Sequence, residues 1–150
     1  MIRDRIKAEL VTAMKGRDKP RTAAIRLIQA TLKNRDIELR TGTAPADDDI
    51  LVTEVLQKMI KQRRESIALY EQGNRRDLAD SELAEIAVIE SFLPAQMSDE
   101  ETKTAIEALV AETGASSVKH MGRVMALLKE RHAGQLDMSK ASGLVRARLG

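Results

Sequence analysis

The chain has 150 residues, 25 Lys and Arg against 23 Asp and Glu, no cysteine, and a single Tyr and a single Phe. That length fits one domain, or a domain with a small appendage. Disulfide and thiolate chemistry are excluded, and no apolar run reaches the ~20 residues that a membrane-spanning helix needs.

Charge is nearly balanced, so the net value of +2 says little about partners. Locally there is an excess: from position 17 to 40, seven residues are basic and three acidic. The scarcity of aromatic rings argues against holding single-stranded nucleic acid by base stacking. The first five residues interleave charges and lack the apolar core of a signal peptide. With no cysteine to protect, a reducing compartment is compatible, and a cytoplasmic, non-membrane protein is expected. Helix formers dominate the composition, which predicts an all-α fold with an aliphatic core.

In chain order, Ile2, Ile6, Leu10 and Met14 recur every four residues and predict the apolar face of a first helix ending near Gly16. Asp18 is placed to cap a second helix with Pro20 in its first turn. Ile25, Ile28, Leu32 and Leu39 give that helix its buried side, and a loop follows over 41–46. Asp47, Asp48 and Asp49 put negative charge where the dipole of a third helix favours it. This helix runs to about position 72. Gly73 and Asn74 both tolerate a left-handed stop. A fourth helix over 77–93 carries Leu78, Leu83, Ile86, Ile89 and Leu93 as its apolar side, with Pro94 limiting further extension. The short connection between the third and fourth helices predicts an antiparallel hairpin.

A boundary is expected at 94–97. Ser98 followed by Glu101 reads as a capping box opening a helix that runs to Gly114. Ser116 or Ser117 is placed to cap the next helix, which stops before Gly134, and Asp137 or Ser139 the last. The expected organisation is an N-terminal helical domain over 1–95, built on the long hairpin, and a small three-helix module over 96–150.

Few residues read as chemistry. Phosphate-binding glycine loops, zinc-binding histidine pairs and nucleophile elbows are missing from the sequence. His120 and His132 are twelve residues apart, poor spacing for a shared metal. No catalytic residue, metal or cofactor is therefore expected. On the third helix, Lys58 and Lys61 point away from the apolar arc and are spaced for intrahelical pairs with Glu54 and Glu65. Arg63 falls in the middle of that arc, about 40° from Met59 on a helical wheel. A guanidinium facing a core needs a partner. Glu82, or alternatively Glu85, on the fourth helix is the expected one.

Several segments form one pattern along the chain. The first are Met14-Lys15, Arg26-Leu27 and Lys33-Asn34, then the stretch 58–67. Arg75-Arg76-Asp77-Leu78-Ala79 follows, with Glu82, Glu85-Ile86 and Leu93-Pro94. The last are Met121-Gly122-Arg123-Val124-Met125, then Gly134, Asp137, Leu144-Val145 and Leu149. Together these segments resemble the YqeY family. Asn74 stands where that family often has glycine. The resemblance implies a C-terminal module similar to the tail of the B subunit of the aspartyl/glutamyl-tRNA amidotransferase, a tail that holds tRNA. It also implies a classification under carbon–nitrogen ligase activity with glutamine as amido-N-donor. The chain is too short to include the catalytic domains of that enzyme. Within the module, Lys119, Arg123, Lys129, Arg131, Lys140, Arg146 and Arg148 are the candidate phosphate contacts. Gly122 would permit close packing of helices or of a ligand. The expectation is an accessory protein without activity of its own that binds tRNA or amidotransferase subunits, with no DNA partner. The alternatives are a helical protein-binding adaptor that does not contact RNA, and an amidotransferase-related enzyme needing another chain.

Overall fold

Apolar residues at three- and four-residue spacing become seven α-helices, with no strand, among the described residues of the computed structural model, 1–132 and 134–150. They are α1 (Ile2–Lys15), α2 (Lys19–Glu38), α3 (Asp48–Gln72), α4 (Arg76–Glu90), α5 (Asp99–Thr113), α6 (Met121–Arg131) and α7 (Met138–Leu149). Single 3₁₀ turns occupy Leu39–Thr41 and Val118–His120. The helices form two units, Met1–Leu93 and Pro94–Gly150.

In the first unit, α1 pairs with α2 and α3 with α4, each through a tight turn. At both turns the residue after the glycine takes the left-handed conformation: Arg17 (φ 54) follows Gly16, and Asn74 (φ 56) follows Gly73. Gly16 and Gly73 keep negative φ. The next amide reaches back five residues, Asp18 N–H to Ala13 O at 2.9 Å and Arg75 N–H to Tyr70 O at 2.8 Å. This bonding satisfies the last carbonyls of each helix. Asp18 caps α2 by accepting from the Arg21 amide, with Pro20 in the first turn, and Asp47 caps α3 through the Asp49 amide.

The core of this unit joins Ile6, Ile25, Ile28, Val52, Leu56, Ile89 and Phe92. Burying a side chain of this size is worth ~1.5–3 kcal/mol. Two residues expected on apolar faces are exposed instead, Met14 at 50% and Leu83 at 47%. Ala13 takes the buried place on α1, and Phe92, beyond the end of α4, closes the core at 1% exposure. The guanidinium carbons of Arg5 and Arg21 lie 5.8 and 5.9 Å from the Phe92 ring centre. Arg5 also donates to the Ser91 carbonyl at 2.9 Å. Ring and cations together fasten the chain after α4 onto α1 and α2.

A second clasp holds the start of α1. Arg3 makes two hydrogen bonds to Asp48 at 3.0 Å and two to Asp36 at 3.1 and 3.2 Å. The Ile2 amide donates to Asp49 at 2.9 Å. One arginine thereby ties the ends of α1, α2 and α3 together. The bond from Arg3 is the largest influence holding the Asp48 carboxyl below the usual carboxylate range. Farther along the α3–α4 hairpin, Ile67, Ala79 and Ile86 form a separate small apolar cluster.

The second unit begins with a strap, in which the Met97 amide donates to Gln135 O at 2.7 Å and Gln96 Nε2 to Gly134 O at 2.7 Å. Ser98 and Glu101 cap α5 reciprocally, and Gly114 ends it in the left-handed region at φ 67. Neither Ser116 nor Ser117 caps the following helix through its hydroxyl. Instead the Ser116 amide donates to His120 Nδ1 at 3.2 Å, and the 3₁₀ turn precedes α6. Asp137, not Ser139, caps α7, accepting from the Ser139 and Lys140 amides. Ile106, Leu109, Val124, Leu128 and Val145 make up the centre of this unit's core.

Candidate nucleic-acid interface

All seven cations singled out in the second unit are exposed, but they are not equivalent. Three bind carboxylates along α5. Arg131 is bidentate to Glu112 at 2.5 and 2.7 Å, Lys140 Nζ meets Asp99 at 2.9 Å, and Arg148 hydrogen-bonds Glu107. The bond from Arg131 holds the Glu112 carboxyl below its ordinary range, with a smaller contribution from the nearby charge of Arg123. Arg131 is raised in return, chiefly by that same bond. These three cations join helices, and each already has a carboxylate partner on α5.

Among the described residues, Lys119, Arg123 and Arg146 form no ion pair, although the charge of Arg123 is felt by Glu112. Lys119 lies in the 3₁₀ turn, Arg123 in the first turn of α6 and Arg146 in the last turn of α7. The end of α7 returns to the 3₁₀ turn, since a Cβ on Gly150 would lie 4.0 Å from Val118 Cγ2. Lys129 is exposed and already engaged in an interaction.

Gly122 does not serve close packing inside the unit: a Cβ built there meets nothing within 4 Å, and the same holds at Gly143 on α7. Met125, by contrast, packs on the core. His120 and His132 share no site, and no group of three or more metal-ligating side chains occurs among the described residues.

In the first unit, Arg63 is 12% exposed and faces α4. Its Nε donates to Glu85 Oε2 at 2.9 Å, and its Nη1 donates to the Met59 carbonyl at 3.2 Å. Glu82 Oε2 lies 3.9 Å from the same Nε, and it is buried with no hydrogen bond. Along α3 the site lies between Met59 of the main core and Ile67 of the small cluster, and Ile60 packs against both. Its chemistry is that of an interhelical tie, with Glu85 as the hydrogen-bonding partner and Glu82 as the charge behind it.

Sequence reasoning did not find a groove of about 380 Å³ between α2 and α3, where buried Val55 and Met59 meet exposed Asn34, Glu38, Lys58 and Gln62. It could not have done so from periodicity alone, because the groove depends on the separation of two helices.

The model of the family described as "Yqey-like protein" matches residues 3–149. The chain is 33% identical over 143 residues to "Altered inheritance of mitochondria protein 41, mitochondrial" of Pyrenophora tritici-repentis, covering 91% of this chain and 76% of that one. It is 29% identical over 128 residues to the protein of the same name in Clavispora lusitaniae, covering 83% and 72%. To that of Kluyveromyces lactis it is 32% identical over 87 residues, covering 58% of this chain and 45% of the relative. These relatives are mitochondrial by name, which overturns the cytoplasmic expectation. Lack of cysteine fits any reducing compartment and cannot separate one from another.

Proposed function

The chain belongs to the YqeY-like family, and from that premise we propose that it is a non-catalytic accessory of tRNA amidation that binds tRNA through its C-terminal module, residues 96–150. Family membership supports the general accessory role linked to tRNA amidotransferase. The observation that carries the RNA reading is the division among the cations. Lys119, Arg123 and Arg146 are exposed and form no ion pair among the described residues, whereas Arg131, Lys140 and Arg148 are tied to α5. Phosphate recognition needs positive charge that is not already neutralised, and it needs no base readout. Carbon–nitrogen ligase chemistry, in this reading, belongs to the amidotransferase and not to this chain.

Charge reversal separates the two groups of cations. Lys119→Glu with Arg123→Glu weakens tRNA binding by roughly tenfold or more, since each lost phosphate contact also lowers the salt slope by about 0.9. Arg131→Glu acts mainly on the stability of the module. Equal binding by both variants and the unaltered chain contradicts the proposal.

A second reading, docking on a protein, draws on Gly122 in the first turn of α6 and Gly143 in the middle of α7, whose open positions would let another backbone approach closely. Capture of amidotransferase subunits in the absence of RNA, lost in Gly122→Leu, favours that reading.

A further inference from the structure

Helix α2 carries a line of charge that the C-terminal reading does not use. Lys19, Arg26, Lys33 and Arg40 recur every seven residues. A seven-residue step on a helix advances about 10 Å and turns by only about 20°. Lys19, Arg26 and Lys33 lie on α2 itself, and Arg40 lies in the 3₁₀ turn that continues it. All four are exposed, and none forms an ion pair among the described residues. Ala23 and Ala30, both exposed, leave the ridge between them low.

The acids of the same helix are engaged elsewhere. Asp36 is held by Arg3, and Glu38 by Arg35 at 2.9 Å. Lys19 occupies the first position of α2, beside the capping Asp18. The first unit thus keeps four aligned, exposed cations outside any ion pair among the described residues.

We propose that this line is a second tRNA-binding surface, contacting the phosphate backbone of a duplex region without reading its bases. The choice of RNA as the polyanion rests on the tRNA-linked reading above; the line of charge itself does not. Shape and phosphate contacts are how duplex RNA is recognised, because side chains cannot read its deep, narrow groove. A lipid surface fits less well. The apolar face of α2, Ile25, Ile28 and Leu32, is buried in the core and has nothing to insert. The half-exposed Leu27 and Ile37 are about 15 Å apart along the helix axis.

The test uses the full chain and tRNA, with affinity measured between 50 and 200 mM salt. Replacing all four cations (Lys19→Gln, Arg26→Gln, Lys33→Gln, Arg40→Gln) weakens binding at least about 30-fold at the lower salt and reduces the salt slope by about 3.6. The pair Arg26→Gln and Lys33→Gln, with less effect on the fold, reduces it by about 1.8. Circular dichroism and the urea midpoint check that both variants remain folded. Three outcomes overturn the inference. If the four-fold variant binds tRNA like the unaltered chain while Lys119→Glu with Arg123→Glu does not, the line is no RNA surface and the C-terminal reading stands. If the variant loses only its binding to phosphatidylserine vesicles, the partner is a lipid surface. If the unaltered chain binds no tRNA at 50 mM salt, both proposals fall.

Discussion

The Nε of Arg63 donates to Oε2 of Glu85 at 2.9 Å, while Glu82, three residues earlier on α4, holds its own Oε2 at 3.9 Å, buried and without a hydrogen bond. One guanidinium therefore faces two carboxylates and satisfies one. Losing Arg63 leaves a buried carboxylate oxygen without its cation, which costs about 2 kcal/mol in a partly exposed setting. Glu85→Ala removes a made bond, whereas Glu82→Ala removes an oxygen that was already unsatisfied. Urea unfolding should place Arg63→Ala lowest, then Glu85→Ala, with Glu82→Ala at least ~0.5 kcal/mol above Glu85→Ala. The reverse order of the two glutamate variants contradicts this account of the tie.

The Arg3 clasp makes stability depend on pH with a defined sign. Asp48 is held below the ordinary carboxylate range, first by its hydrogen bond from Arg3. A carboxyl whose folded pKa is depressed contributes stability above its unfolded pKa and loses it as pH falls through the folded value. The stability gap between the unaltered chain and Asp48→Asn should therefore be full near neutrality and close as the pH is lowered below about 4. Urea midpoints of the two proteins across that range measure it. A gap that stays constant shows that Asp48 contributes no charge-dependent stability.

The two hairpin turns predict gains. Arg17 and Asn74 hold the left-handed conformation that L-residues other than glycine pay to adopt. Arg17→Gly should raise stability by about 0.5–1 kcal/mol, and Asn74→Gly by less, since asparagine tolerates this region better. Gly114, at φ 67, is the converse. Gly114→Ala should destabilise by about 1 kcal/mol although a Cβ there meets nothing within 4 Å. Thermal melts of the three variants test the signs.

Phe92 predicts the largest loss. It is fully buried and flanked by Arg5 and Arg21, so Phe92→Ala should cost about 3–5 kcal/mol. Phe92→Leu should cost much less. Denaturant unfolding followed by helicity reads both, and a loss below ~1 kcal/mol for the alanine variant removes Phe92 from the core.

Phe92 also shows where the sequence stops being informative. It lies past the last turn of α4, within the stretch 77–93 expected to be helical but off the apolar side expected there, so a search by periodicity passes over the largest buried side chain of the first unit. Periodicity finds a face but not its width. Ile2 and Ile6 are buried where Met14, on the same repeat, is not. Helix ends were more legible: Asp18 and Ser98 cap the helices expected of them, Asp137 is one of the two caps expected for the last helix, and Asp47, expected only as charge at a helix start, also caps. Their signal is local and needs no tertiary contact. The inward turn of Arg63 was legible on a wheel, but the choice between Glu82 and Glu85 depends on small rotations of two packed helices. The pairing of α5 with Arg131, Lys140 and Arg148 was not legible either. Carboxylates and cations 19 to 41 residues apart meet only after the module folds.

The salt dependence of tRNA binding by the unaltered full chain tests the proposed role most directly. If Lys119, Arg123 and Arg146 contact phosphates as proposed, counterions are released, and binding measurable at 50 mM salt should fall about 30- to 50-fold by 200 mM, a logarithmic slope near −2.7, or steeper if α2 also contributes. An affinity that does not change across that range, or no binding at 50 mM, contradicts the claim that this protein works by holding tRNA.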